Sequence, residues 1–243
     1  MRLIRHGRLH PFDNMALDQA LEPEPPVLRL YGWDPGGLSI GYFQRAAEFS
    51  GEWVEQEGLV LVRRVSGGGA ICHLDDLTFS LTASPSHELF RGRVEESYHR
   101  LHQAVASGLA SLGVKAVLRL DAEVRSDSRR RDDPICFRQA TPFDLISDGR
   151  KLVGSAQRRT RHRILHHGSI PLKRNRLAPE CASLDRAVGR EVGFEEAADA
   201  LVLGFTRELG VRFQESKVTA SEQVRASQLR ATRFGTDAWN RMR

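Results

Sequence analysis

At 243 residues, with 40% hydrophobic and 28% charged residues, the chain can bury a substantial core and is composed like a folded globular protein, which excludes disorder as its default. The formal charge of +5 leans toward acidic partners, yet no aromatic-interleaved basic stripe of the nucleic-acid-binding kind accompanies it. Three cysteines without a C-x-x-C argue against a disulfide framework or a zinc site and fit a reducing cytoplasm. Charges spread through Met1 to His10 leave no secretory leader, and no apolar run is long enough to span a membrane.

Taken in chain order, Asp13 is placed to cap a short helix over Asn14 to Leu21, ended by Glu22-Pro23-Glu24-Pro25-Pro26. Val27 to Tyr31 and Leu38 to Phe43 read as strands joined by the turn-rich Asp34-Pro35-Gly36-Gly37. Ser50 is set to cap a helix over Gly51 to Glu57, with Gly58 at its end. Leu59 to Val62 is a buried strand that runs into Arg63-Arg64-Val65-Ser66-Gly67-Gly68-Gly69-Ala70-Ile71-Cys72-His73. Three consecutive glycines let backbone N–H groups wrap around an anion or a carbonyl oxygen. Beyond them, Leu77 to Thr82 alternates apolar and polar and reads as a half-buried strand.

Val94, Tyr98, Leu101, Val105, Leu109 and Leu112 recur at three- and four-residue steps, which predicts the longest amphipathic helix, closed by Gly113 and followed by a strand over Val114 to Leu120. Asp121 to Asp133, with Arg129 to Arg131, reads as a polar loop leading to Pro134-Ile135-Cys136-Phe137. Phe143 to Ile146 is a strand, Asp148-Gly149 a strong hairpin turn, and Lys151-Leu152-Val153 the return. The small run Gly154-Ser155-Ala156 leaves room for a ligand or another backbone, and Gln157 offers both a donor and an acceptor. Ile164 to Ile170, with His166, His167, Gly168 and Ser169, is another strand; Glu195 to Leu209 and Ser221 to Thr232 are C-terminal helices. Strands and helices without regular βαβ alternation favour an α+β fold in one domain over residues 1–243.

The glycine stretch and the hairpin block together resemble the lipoate and biotin protein ligase superfamily, and within it the cysteine-dependent octanoyl-carrier-protein:protein octanoyltransferases. Phe12 to Asp18, Pro26 to Trp33, Leu38 to Gln44 and Asp237 to Asn240 are similar to further blocks of that family. The resemblance implies a mixed, largely antiparallel sheet flanked by helices, like the catalytic core shared with biotin ligases. It implies that Cys136 carries the acyl group as a thiolate nucleophile, and that Lys151 places the acyl carbonyl and holds developing oxyanion charge. Arg64, Ser66, Gly67, Gly68, Gly69, Ala70 and His73 would line the pocket with Gly154, Ser155, Ala156, Gln157, His167, Gly168 and Ser169, and Cys72 and Cys181 would be structural. Octanoyl acyl carrier protein is the implied donor, and a lipoyl domain or glycine-cleavage H protein the implied acceptor. The expected protein is a cytoplasmic monomer that uses no cofactor and no metal and binds neither nucleic acid nor membrane.

Two departures point in opposite directions. Ser66-Gly67-Gly68-Gly69 has the form found in ATP-using lipoate ligases, whereas the cysteine-dependent transferases carry T-G-G-R. Conversely, His73 is followed by Leu74-Asp75-Asp76-Leu77, which interrupts the family's His-Asp pair and lacks the Gly-Asn that follows it in the ligases. The absent Gly-Asn and the cysteine favour the transferase. The alternative is an ATP-dependent lipoate ligase, using ATP and Mg, in which Cys136 is packing. A catalytically silent binding module is a third reading.

Overall fold

The computed structural model describes residues 1–119 and 143–243. In chain order these form β1 (Arg2–Leu9), α1 (Pro11–Ala20), β2 (Val27–Trp33), β3 (Gly37–Ile40), α2 (Gly51–Gln56), β4 (Val60–Arg63), β5 (Ile71–His73), β6 (Asp76–Ala83) and α3 (Val94–Ser111). After these come β7 (Val117–Leu118), β8 (Leu145–Ser147), β9 (Arg150–Arg159), β10 (Ile164–Pro171), α4 (Leu184–Val188), α5 (Phe194–Leu209), β11 (Gln214–Glu215), α6 (Ala220–Leu229) and α7 (Asp237–Asn240). Eight strands form one sheet in the order β11-β1-β2-β6-β10-β9-β8-β7, and β4-β3-β5 form a second. In the large sheet β1 runs parallel to β2 and β11, and the remaining pairings are antiparallel. This is the mixed, largely antiparallel α+β architecture expected from the sequence.

The helices cover the large sheet on both faces. Leu28, Leu30, Leu77, Phe79 and Leu81 pack against Leu101, Val105 and Leu109 of α3 and Leu201 and Phe205 of α5. On the opposite face, Met15, Ala16 and Ala20 of α1 and Ala226 of α6 meet Tyr31 and Trp33. Double coverage overturns the half-buried reading of Leu77 to Thr82, because every residue of β6 is buried. Two of its polar side chains are satisfied internally, Ser80 Oγ donating to Asp18 and Thr78 Oγ1 accepting from Trp33 Nε1 at 2.8 Å.

Other elements add to or differ from the sequence reading for identifiable reasons. Helix α1 starts at Pro11, whose fixed φ suits the first helical position, and its cap is His10, not Asp13. The charge-rich start of the chain is a strand, because its arginines find carboxylates in the C-terminal third. Arg2 is bidentate to buried Glu222 at 2.6 and 2.9 Å, and Arg5 contacts Glu195, Asp199 and Glu215. The strand expected over Val114 to Leu120 is confined to β7 within the described residues. Ser50 caps α2 as expected, its side chain accepting from Trp53 N–H.

Helices α3 and α5 cross at backbone contact. A Cβ on Gly204 would lie 2.2 Å from the Ala104 carbonyl oxygen, and one on Gly108 would lie 2.4 Å from that of Ala200. Gly204→Val is therefore expected to push the helices apart and destabilise the protein by about 1–3 kcal/mol, read as a lower urea midpoint. Val202→Ala, a partly buried neighbour on α5, should cost less.

Candidate active site

The β8–β9 hairpin places the first candidate side chain. Asp148 and Gly149 both have positive φ, 49° and 73°, the backbone a two-residue turn of the right twist needs. A register irregularity between Leu145 and Ile146 then turns Lys151 onto Asp144, with Nζ 2.9 Å from Oδ2 and both side chains at most 5% exposed. A buried ammonium so close to a carboxylate is held in one place, unlike a solvated lysine after a turn. Asp144 was not singled out in the sequence; a carboxylate at the edge of a hairpin carries no mark that it will be buried.

Strands β9 and β10 supply a wall of small side chains. Gly154 opposes Ser169 and Ala156 opposes His167, so these four residues share one face. Ser155 and Gln157 point the other way. Ser155 Oγ bonds His102 Nε2 at 2.7 Å, and Gln157 lies against Ser97 and His166 with its amide oxygen turned to Arg159. Gln157 thus belongs to the packing between β9 and α3, because strand alternation sends it to that side. Gly168 has a packing reason of its own, since a Cβ there would stand 2.5 Å from the Phe79 ring.

The glycine loop is organised by the arginine that precedes it. Arg64, 3% exposed, donates to the carbonyls of Ser39 (2.8 Å), Gly67 (2.7 Å) and Gly69 (2.8 Å). In a trans peptide the N–H opposes the C=O, so the Gly68 and Ala70 N–H groups point away from the guanidinium. Gly68 has φ of 88°, and its carbonyl oxygen would be 1.8 Å from any Cβ on Gly41, so a bare backbone at the end of β3 is required for the loop to close. Ala70 is fully buried in the small-sheet core.

Two histidines join the loop to the sheet. His73 Nδ1 bonds Asp76 Oδ2 at 2.7 Å and its Nε2 lies 2.9 Å from Ser39 Oγ, while the ring stacks on Trp33 at 3.9 Å. The His-Asp pair that looked interrupted in sequence is therefore made, three residues apart, across the β5–β6 turn. Asp76 Oδ2 also accepts from Thr78 and Ser169. His167 Nε2 lies 2.6 Å from Ser66 Oγ, and its Nδ1 faces Asp18 Oδ2 at 3.8 Å. Burial lowers the His167 pKa against the opposing pull of Asp18, so the imidazole is neutral at pH 7.

Asp18 is the hub behind the site. It is fully buried and binds Arg29 at 2.8 Å, and it accepts from Tyr31 and Ser80. Burial raises its pKa, but Arg29, His167 and Ser80 outweigh that and hold it at about 2. Arg29 is in turn held by the Asn14 backbone and side chain and lies 3.8 Å over the Tyr31 ring.

Loop, hairpin and sheet enclose a cleft of about 480 Å³ including its open mouth. It is lined by Arg64, Gly68, Gly69, His73, Lys151, Gly154, Ser155, Ala156, His167, Gly168 and Ser169 from the sequence reading. Met15, Tyr31, Trp33, Ser39, Ile71 and Thr78 also line it and were not singled out, since nothing local distinguishes them from ordinary core. Ser66, Gly67, Ala70 and Gln157 are not among the lining residues; the first two act one step behind, through His167 and Arg64. Cys136 and the Arg129 to Arg131 segment lie outside the described residues. Cys72 and Cys181 are both buried, each at 4% exposure. Among the described residues no cluster of His, Cys, Asp or Glu could hold a metal ion, and no helix is long and apolar enough to cross a membrane.

Comparison with known proteins agrees with this fold. The octanoyltransferase LipM of Kyrpidia tusciae is 37% identical over 268 residues, covering 98% of this chain and 97% of its own, and that of Geobacillus kaustophilus is 33% identical over 269 residues at the same coverage. A lipoate-protein ligase A bound with ATP superposes with a TM-score of 0.81 at 26% identity, covering 99% of this chain and 98% of its own. The bipartite lipoate protein ligase of Thermoplasma acidophilum, described together with its E2 lipoyl domain, has the same fold, with a TM-score of 0.78 at 24% identity and coverages of 99% and 95%. The chain is an acyltransferase built on this α+β core. The lipoyl protein ligase A/B catalytic domain model matches residues 10–191, and the chain belongs to that family.

Proposed function

We propose that the protein transfers an octanoyl group from the phosphopantetheine thioester of acyl carrier protein to a lysine of a lipoyl domain or glycine-cleavage H protein, in protein lipoylation. The observation that carries this reading is Lys151, buried against Asp144 beside the small-residue floor of Gly154 and Ala156. A buried ammonium at a narrow cleft suits an acyl carbonyl that must become an oxyanion. The Cys136 thiolate attacks the thioester carbonyl, a new C–S bond forms, and the carrier thiolate leaves and takes up a proton. The acceptor lysine amine then attacks the acyl-enzyme, an amide forms, and Cys136 departs as the thiolate. Neutral His167 is able to take the proton that the amine loses.

A thioester donor is already activated, so the exchange needs neither ATP nor Mg. The likeness to an ATP-bound ligase favours the competing reading, in which the cleft holds an acyl-adenylate. Incubation with octanoyl acyl carrier protein followed by intact-mass measurement separates the two. The expected result is one octanoyl adduct, lost in Cys136→Ala. An unmodified protein, with full activity in Cys136→Ala when ATP is supplied, would overturn the transferase reading. Cytoplasmic location and a monomeric state belong to the same proposal.

A further inference from the structure

A second cavity, of about 700 Å³ including its mouth, continues the face on which the cleft is built. Along β9 and β10 the paired residues facing the cleft are Gly154–Ser169 and then Ala156–His167, and the next pair on that face is Arg158–Leu165. Each step of two residues advances about 7 Å. Arg158 and Leu165 line the second cavity, together with Val65, the residue that follows Arg64 of the cleft. The Ala156–His167 pair, with its Ser66–His167 hydrogen bond, lines the cleft, and the adjacent pair on that face lines the second cavity.

The second cavity has the chemistry of an anion site. Three of its nine lining residues are arginines, Arg158, Arg163 and Arg233, and no carboxylate is among them. Arg163 is fixed by three carbonyls at the end of α1, those of Asp18, Gln19 and Leu21, and its buried Nε has no hydrogen-bond partner among the described residues. Arg233 is held over the Trp239 ring at 4.8 Å and donates to Gln19 Oε1. Arg158 is exposed and lies 5.7 Å from the Tyr42 ring. The two carboxylates whose charge acts on Arg163 are committed elsewhere, Asp18 to Arg29 and Glu22 to Arg225.

We propose that this cavity is a subsite for the phosphate of a phosphopantetheine thioester, so that the donor's arm lies along β9 and β10 with its acyl end in the cleft. This rests on the thioester-donor reading above. Phosphate is the anion that planar guanidinium forks recognise best, and an arm reaching the cleft must leave along a neighbouring surface. Coenzyme A and acyl carrier protein both carry this phosphate, and they differ in what lies beyond it.

Two measurements test the proposal. The first titrates 4′-phosphopantetheine and pantetheine against the full chain, following Trp239 emission or heat. The phosphorylated compound should bind roughly ten- to a hundredfold more tightly, and Arg158→Gln/Arg233→Gln should remove that preference. Equal binding of the two compounds, or a preference unaltered in the double variant, would overturn the subsite. The second compares kcat/KM for octanoyl acyl carrier protein, octanoyl coenzyme A and octanoyl pantetheine. In the wild type both phosphorylated donors should lead, and the advantage over octanoyl pantetheine should shrink about tenfold or more in the double variant. An advantage confined to the carrier protein would mean protein–protein docking and would overturn the phosphate site. Preferential phosphopantetheine binding without transfer from any thioester would uphold the subsite while removing the transferase reading. Arg158→Lys, which keeps the charge and loses the fork, should retain part of the preference, and its circular dichroism checks the fold.

Discussion

Lys151→Met is expected to lower acyl transfer by roughly two to three orders of magnitude and, in the same protein, to lower stability by about 3–5 kcal/mol. The two losses have different origins. Stability falls because Asp144, at 2% exposure, is deprived of the ammonium 2.9 Å away while remaining buried. Transfer falls because a fixed donor no longer meets the carbonyl oxygen as it gains charge. Lys151→Met/Asp144→Leu separates them. Replacing both members of a buried pair by hydrocarbon is often neutral, so the double variant should recover most of the lost thermal midpoint. It should not recover transfer. Recovery of both, measured by thermal unfolding and by octanoyl transfer to an acceptor domain, would reduce Lys151 to a structural residue.

Asp18→Asn should cost about 3–5 kcal/mol, because it leaves the fully buried Arg29 facing a neutral partner. The loss should be visible in denaturant midpoints at pH 7. It should also flatten the acid limb of the stability profile. Asp18 has a folded pKa of about 2, below its ordinary 3.8, so its contribution is complete above about pH 4 and disappears as pH falls toward 2. Glu222, held at about 2 by Arg2 and two backbone N–H groups against the effect of burial, acts in the same window. His6 and His102 add an earlier decline. Burial lowers both to about 4, so between pH 6.5 and 4 the unfolded chain binds protons that the folded protein refuses. The wild type should therefore lose stability continuously below pH 6.5, and Asp18→Asn should share the upper part of that decline and lose less between pH 4 and 2.

Asp18 also links the stability of the fold to the site. The carboxylate that neutralises Arg29 faces His167, whose other nitrogen is bonded to Ser66. Asn14 and Asp18 fall on one side of α1, four residues apart, which is why a short N-terminal helix carries both groups that hold Arg29. That explains physically why the stretch Phe12 to Asp18 belongs with the functional blocks although it touches the cleft only through Met15. The C-terminal block has a comparable place. Buried Arg63 donates to the carbonyls of Gly41, Tyr42, Gln44, Trp239 and Asn240, so α7 is tied to the strand that feeds the glycine loop.

Local pattern carried much of the fold. The three- and four-residue recurrence from Val94 to Leu112, the Ser50 cap and the Asp148-Gly149 turn each report on interactions within a few residues, and each produced the expected element. The charge-rich start carried no local sign of a strand, because the partners of its arginines, Glu222, Glu195, Asp199 and Glu215, stand about two hundred residues away. Polar positions in β6 looked solvent-facing because alternation reveals two faces but not whether a helix covers the second.

The resemblance of two blocks to the lipoate and biotin protein ligase superfamily implied an acyl-handling α+β fold; by itself, the sequence determined that small residues follow a tight turn beside a lysine and that three glycines follow two arginines. Those are properties of residue type and spacing, and they survive whatever surrounds them. Only the tertiary structure decided which charges meet. Lys151 finds Asp144 through a register irregularity, His73 reaches Asp76 across a turn, Arg64 draws in the loop carbonyls, and Arg158 joins Arg163 and Arg233 around one cavity. Charge pairing depends on distance and burial in space, and a linear order of residues contains neither.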